Sequence, residues 1–157
     1  MGTVVGDGCR IFPYAFSSEP FLIEIGNRVT ITAGVRLLTH DGSTWLIRDD
    51  RGRRQLYRPI KIGNEVFIGI DSILLPGVVV EDKVIIAAGS VVTKSVPSGS
   101  IVAGNPAKII GRYEDYYERA LKQYVAQDEL DGSLPFKERI EAVLDETDRP
   151  FLRRDRC

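Results

Sequence analysis

Histidine is nearly missing from this chain, which has one, His40, in 157 residues. That excludes a metal site built from several imidazoles of one polypeptide. Cysteine is scarce too: Cys9 and Cys157 stand at opposite ends and make no metal or redox spacing, so two reduced thiols of a cytoplasmic protein are expected. No apolar run approaches the roughly 20 residues that span a bilayer. The opening MGTVVGDG lacks the basic start and apolar stretch of a secretory signal, and it lacks the Ser or Thr of a myristoylation site. Excess charge of either sign is missing as well. A net charge of −1 and a pI near 5.9 argue against a nucleic-acid binder, which concentrates basic charge on one face. With 43% apolar and 27% charged residues, the composition is that of one soluble globular domain, with room for an appendage.

What is present is a six-residue beat. Ile62, Ile68, Leu74, Val80, Ile86 and Val92 hold one phase without a break. Val66, Ser72, Val78, Val84 and Ser90, all small or β-branched, hold a second phase four residues later. Neither the 3.6 period of a helix nor the 2 of a strand gives a period of six. One flat side of a three-sided coil does, with a short strand and a corner in each hexapeptide and the aliphatics filling the axis. Glycine in Ile62-Gly63 and Ile68-Gly69 is expected at these corners for backbone angles that a side chain forbids.

Toward the N-terminus the beat is imperfect. Val5 and Ile11 mark a partial first turn over residues 4–16, which the loop formers of Phe16-Ser-Ser-Glu-Pro20 interrupt. The phase resumes, shifted by two, at Ile25, Ile31 and Leu37. It stops again after Leu38-Thr39-His40-Asp41-Gly42. Residues 41–58 have no period and carry five arginines, with Trp45, Leu46, Ile47, Leu56 and Tyr57 to bury. A protruding loop of this length is more often functional than not. Past Ser98, turn residues and Pro106 end the stack. Tyr113, Tyr117, Ala120, Leu121, Tyr124 and Val125 then follow helical spacing, with Glu118 and Lys122 an i,i+4 pair. Gly132 is a stop, and Ser133 is expected to cap a second helix carrying Phe136, Ile140, Val143 and Leu144. Residues 149–157 are charged and expected to fray. The domains are thus a coil over residues 1–111, with the loop at 41–58, and a helical extension over 112–157.

His40, placed where the repeat breaks, is the candidate general base, since imidazole takes up a proton near neutral pH. Ser18-Glu19-Pro20-Phe21-Leu22-Ile23-Glu24-Ile25-Gly26, Leu38 to Gly42, Ala87-Ala88-Gly89-Ser90-Val91-Val92-Thr93-Lys94 and Ala103-Gly104-Asn105-Pro106-Ala107-Lys108-Ile109-Ile110 read as signature segments. Over roughly residues 4–112 the chain resembles the hexapeptide-repeat acyltransferase superfamily, and within it the sugar O-acetyltransferase branch found with polysaccharide-building enzymes. The resemblance implies a mainly β fold, a left-handed parallel β-helix, here with a C-terminal α-helical extension. Handedness comes from the resemblance, since strand crossovers otherwise favour the right hand. A homotrimer is also implied, with acetyl-CoA in the groove between subunits, His40 as catalytic base and no metal.

The resemblance further implies an oxyanion donor on the backbone near Gly69 and Ile70, where related chains often have serine in place of Ile70. It implies cofactor contacts at Ala88, Thr93, Lys94 and Lys108, with Arg112 as a further basic residue. On the acceptor side, Glu19 and Asp41 either bind sugar hydroxyls, orient His40 or cap local structure. The loop arginines either face a phosphate of the acceptor or form a solvated arm. The expected activity is acetyl transfer from acetyl-CoA to a hydroxyl of a saccharide, free or nucleotide- or lipid-linked. N-acetylation of a nucleotide-linked amino sugar and a non-catalytic scaffold subunit are the alternatives. A γ-class carbonic anhydrase on the same coil needs three histidine ligands, which one histidine per chain does not supply.

Overall fold

The computed structural model describes residues 2–12 and 16–151, so residues 13–15 of the first turn, most of the charged C-terminal stretch and Cys157 lie outside the described residues. The chain divides into two compact units, residues 1–118 and 119–157.

In the first unit the strands are two to five residues long: β1 (Val4–Val5), β2 (Arg10–Ile11), β3 (Ile23–Ile25), β4 (Thr30–Ile31), β5 (Arg36–Leu37), β6 (Arg48–Asp49), β7 (Gly52–Arg53), β8 (Ile60–Ile62), β9 (Phe67–Ile68), β10 (Ile73–Leu74), β11 (Val79–Val80), β12 (Ile85–Ile86), β13 (Val91–Val92), β14 (Ser100–Ala103) and β15 (Lys108–Arg112). Three sheets take up all of them except β6 and β7. The first side is β1-β3-β8-β11, the second β2-β4-β9-β12-β14-β15 and the third β5-β10-β13. From β3 to β13, leaving the loop aside, the chain visits the three sides in fixed order, and every pairing is parallel except β14–β15.

The register is the sequence period made visible. Ile62 pairs with Val80, Ile68 with Ile86 and Leu74 with Val92, each eighteen residues on, or three hexapeptides. Leu37 pairs with Leu74, thirty-seven residues on, because the loop adds nineteen to that turn. Val5 pairs with Ile25, twenty residues on, and the extra two are the phase shift seen in the sequence. The inward aliphatics of all three sides form one buried cluster that includes Ile31, Leu37, Ile68, Leu74 and Ile86. Buried Ser72 and Ser90 are both satisfied by the Ala87 carbonyl, at 3.1 and 2.6 Å.

One corner repeats a left-handed residue on successive turns: Arg28, Glu65 and Lys83, with φ of 57, 56 and 56°. The amides beside them form a ladder that offsets this backbone cost. The Asn64 side chain accepts from the Asn27 N–H at 2.9 Å, and the Asp82 side chain accepts from the Asn64 N–H at 2.6 Å. Gly63 and Gly69 are not among the residues of positive φ, so the expected reason for those glycines is corrected. Close approach requires them instead: a Cβ on Gly69 would lie 2.5 Å from the Ala88 nitrogen, a backbone atom of the next turn.

After β14 the chain reverses over Gly104–Ala107 into antiparallel β15 and then α1 (Tyr113–Gln123), which crosses the boundary between the units. The second unit holds a short 3₁₀ turn at Gln127–Glu129 and α2 (Phe136–Glu141). Ser133 does not cap α2. Its hydroxyl and amide are taken by Asp131, at 2.6 and 2.9 Å, and Pro135 occupies the cap position. Proline keeps the residue before it out of helical geometry, so the helix cannot begin at Ser133.

Candidate active site

The site is built at one corner of the coil, between the third side and the first. Phe16 pairs with Leu37, which sets the segment Ser17–Glu19 one turn below Leu38–His40. Both turns swell here. The lower one carries the 3₁₀ turn Pro20–Leu22, and the upper one carries the loop. The two-residue insertion that disturbs the sequence period therefore brings Glu19 under His40.

Glu19 Oε2 is the hub. It accepts from the Thr39 hydroxyl at 2.6 Å, lies 3.0 Å from His40 Nδ1 and is 3.4 Å from the Ser17 hydroxyl. Thr39 is fully buried. The Glu19 side chain is 18% exposed and that of His40 39%, so the carboxylate is sheltered and the imidazole reaches the rim. The Thr39 hydrogen bond, then that of His40, holds the Glu19 carboxyl below the usual carboxylate range. An ionised carboxylate only accepts, so the contact requires the proton on His40 Nδ1 and leaves the Nε2 lone pair free for a substrate proton. Tyr57 stands across from His40, their ring centres 6.2 Å apart and the planes tilted by 55°.

Asp41 is engaged elsewhere. Its carboxylate accepts from the Ser43 hydroxyl at 2.7 Å and the Ser43 N–H at 2.9 Å, capping the 3₁₀ helix Gly42–Leu46. The Ser43 hydroxyl, then its N–H, lowers the Asp41 pKa. Of the readings open in the sequence, the contacts of Asp41 are those of a cap and the contacts of Glu19 are those of a group that orients His40.

Gly69 and Ile70 sit at the other end of the third side. Asp71 N–H bonds the Ala33 carbonyl at 3.1 Å and Leu38 N–H bonds Leu74 O at 3.0 Å, so Ile70 precedes β10 and His40 follows β5, the strand stacked on it. At no more than about 3.3 Å per residue, the side spans up to some 20 Å. The Gly69 N–H already donates to Ile86 O at 2.8 Å, whereas the Ile70 N–H has no partner among the described residues. Of the two expected donors, Ile70 is the one whose N–H is not already bonded. Ala88 lies on the next turn, where Gly89 N–H donates to the Ile70 carbonyl at 2.8 Å. Thr93 and Lys94 follow β13 on the His40 corner, and Lys108 opens β15; all three are exposed. One chain thus brings together His40 with Glu19, and Ile70 with Ala88, but not the two pairs with each other. Thr39, Ser17 and Tyr57 were not read from the sequence. Their roles depend on which turn lies above which, and only the residue next to a lone histidine offered a signal.

Residues 59–94 match the family model described as the hexapeptide repeat of succinyl-transferase. The chain is 49% identical over 125 residues to Protein CapG of Staphylococcus aureus, covering 78% of this chain and 73% of that one. To the galactoside O-acetyltransferase of Escherichia coli it is 34% identical, over 62% of this chain and 47% of that protein, so it spans about half the length of that relative. Among solved structures, a galactoside acetyltransferase in complex with coenzyme A superposes with a TM-score of 0.53 at 27% identity, over 79% of this chain and 70% of that one. The chain belongs to the hexapeptide-repeat acyltransferase family.

Replacing Glu19 with Gln tests the pairing. The variant keeps the shape but loses the charge-assisted bond, and turnover is expected to fall at least about tenfold. Its effect on stability has a defined sign. Because folding lowers the Glu19 pKa, the ionised pair contributes fully above the usual carboxylate range and fades as pH falls through the lowered value. Urea midpoints of wild type and Glu19→Gln should therefore differ at pH 7 and converge only as pH falls through and below the carboxylate range.

Proposed function

We propose that the protein transfers an acetyl group from acetyl-CoA to a hydroxyl of a saccharide, on a left-handed β-helix assembled as a cytoplasmic homotrimer. The observation that carries this reading is the Glu19–Thr39–His40 cluster at a corner of the coil, with the imidazole at the rim. Glu19 fixes the tautomer of His40, whose Nε2 takes the proton as the acceptor oxygen attacks the thioester carbonyl. The Ile70 N–H holds the oxyanion that forms. The carbon–sulfur bond then breaks, and the imidazolium returns the proton to the departing thiolate. No metal and no covalent acyl-enzyme are required.

His40 and Ile70 stand at opposite ends of the third side of one chain, up to about 20 Å apart, too far for both to act on one carbonyl. Two chains placed side by side remove the difficulty, with His40 of one facing Ile70 of the next, and cyclic assembly repeats the site at every interface. The exposed edges fit the co-substrate. Small Ala88 beside Ile70 leaves room for the pantetheine arm, Thr93 and Lys94 suit the nucleotide end, and exposed Lys108 suits a phosphate. Among the described residues, no helix is long and apolar enough to cross a membrane.

Calorimetric titration with CoA and acetyl-CoA tests the reading. Saturable binding near one site per chain is expected, weakened about tenfold by Lys94→Ala, the loss of one contact at the nucleotide end. A folded trimer that binds neither ligand would overturn it.

A further inference from the structure

The loop carries five arginines against Asp41, Asp49 and Asp50, a net of +2 in a chain whose total is −1. Two of its aspartates are already engaged, Asp41 by Ser43 and Asp49 by Arg54. The loop is an ordered arm: β6 and β7 pair as an antiparallel hairpin, and β7 contacts the 3₁₀ helix Gly42–Leu46. Its base is clamped at the active corner, where Arg58 N–H bonds the Thr39 carbonyl at 2.8 Å and Asp41 N–H bonds the Leu56 carbonyl at 3.2 Å.

Within the hairpin Arg48 stands directly opposite Arg53. Like charges placed across a ladder repel. Among the described residues, neither arginine forms an ion pair with a carboxylate. Both guanidinium groups lie against the ring of Trp45, their central carbons 4.6 and 5.0 Å from its centre. Cation–π contacts of this kind tether both guanidinium groups to one ring without neutralising them. Arg53 Nε is buried and has no hydrogen-bond partner. Two guanidinium groups from facing positions of one hairpin suit an anion with several oxygens in a row. The cofactor's phosphates do not call for this pair, because Lys94 and Lys108 stand on later turns of the coil.

We propose that Arg48 and Arg53 form the anion site of the acceptor, which is a sugar carried on a diphosphate. The inference rests on the acetyl-transfer reading of His40. Arg53 stands four positions before Tyr57 at the base, so the pair lies within about 13 Å of the active corner. That is a span a hexose and its linking diphosphate can bridge, with a ring hydroxyl at His40 and the phosphates at the arginines. A nucleotide and a lipid carrier present the same diphosphate.

The probe is inorganic pyrophosphate, titrated calorimetrically into the full chain with desulfo-CoA at saturation, so that the cofactor's phosphate contacts are filled. Wild type and Lys94→Ala are expected to bind it alike, and Arg48→Gln/Arg53→Gln about tenfold more weakly or not at all. Arg48→Lys/Arg53→Lys, which keeps the charge but not the forks, should fall between. Equal binding by wild type and the glutamine variant overturns the proposal, as does a glutamine variant that loses desulfo-CoA binding instead. In acetyl-transfer assays, a sugar on a nucleoside diphosphate or on a short polyprenyl diphosphate should show a KM about tenfold below that of the free sugar, an advantage absent in the glutamine variant. Which of the two carriers shows it identifies the source. If no acceptor is acetylated while pyrophosphate binding still depends on the arginines, the transfer reading fails and the anion site stands without it.

Discussion

Replacing His40 with alanine is expected to lower kcat by about 10²–10⁴ and to leave acetyl-CoA binding within about twofold of wild type. In the proposed mechanism the loss falls on turnover, because the imidazole acts only as the acceptor's proton moves, while the residues proposed to hold the cofactor, Ala88, Thr93, Lys94 and Lys108, lie on other turns. Stability should change little, since the ring sits at the rim with its side chain 39% exposed. Stopped-flow or thiol-release kinetics alongside calorimetry measure both quantities. A variant that binds acetyl-CoA and turns over at the wild-type rate would remove His40 from the mechanism.

Replacing Ile70 with proline is expected to cost about 10²–10³ in kcat, the effect of removing one oxyanion donor. The substitution deletes a single atom group of interest, the N–H. Ile70 stands one residue before Asp71, which has φ of 59°, in a tight turn closed by Ser72 N–H on the Gly69 carbonyl at 3.3 Å. Proline is favoured at that place in such a turn, so the backbone should accept it. The Gly69 N–H, which serves the ladder, is untouched. Ile70→Ser keeps the N–H and should turn over close to wild type, which separates a backbone role from a side-chain one. A proline variant with full activity would place the donor elsewhere.

The repeat was the most legible feature of the sequence, because a period of six states the register directly. Ile62, Ile68 and Leu74 meet Val80, Ile86 and Val92 one coil later, and the two-residue slip after Ile11 reappears as a twenty-residue turn. What the period could not reveal was which irregularities share a corner. Glu19 and His40 are far apart in sequence and meet only because both insertions fall at the same place on successive turns. The choice between Gly69 and Ile70 as donor depends on a ladder bond that no local pattern encodes. The reason for glycine at position 69 was misread for the same cause: the obstacle is the backbone of Ala88, one turn away, and not the angle at the glycine itself. The arm's five arginines were visible as composition, but the facing of Arg48 and Arg53 over Trp45 required the hairpin register.

The central claim is that the site joins the His40 corner of one chain to the Ile70 corner of the next, and mixing inactive variants tests it most directly. His40→Ala and Ile70→Pro chains, coexpressed in equal amounts so that they assemble at random, should regain about a quarter of wild-type activity. That is the share of interfaces at which an intact His40 meets an intact Ile70 in a cyclic assembly. Activity no greater than that of the two variants assayed separately would mean that both groups act within one chain, and would contradict the account.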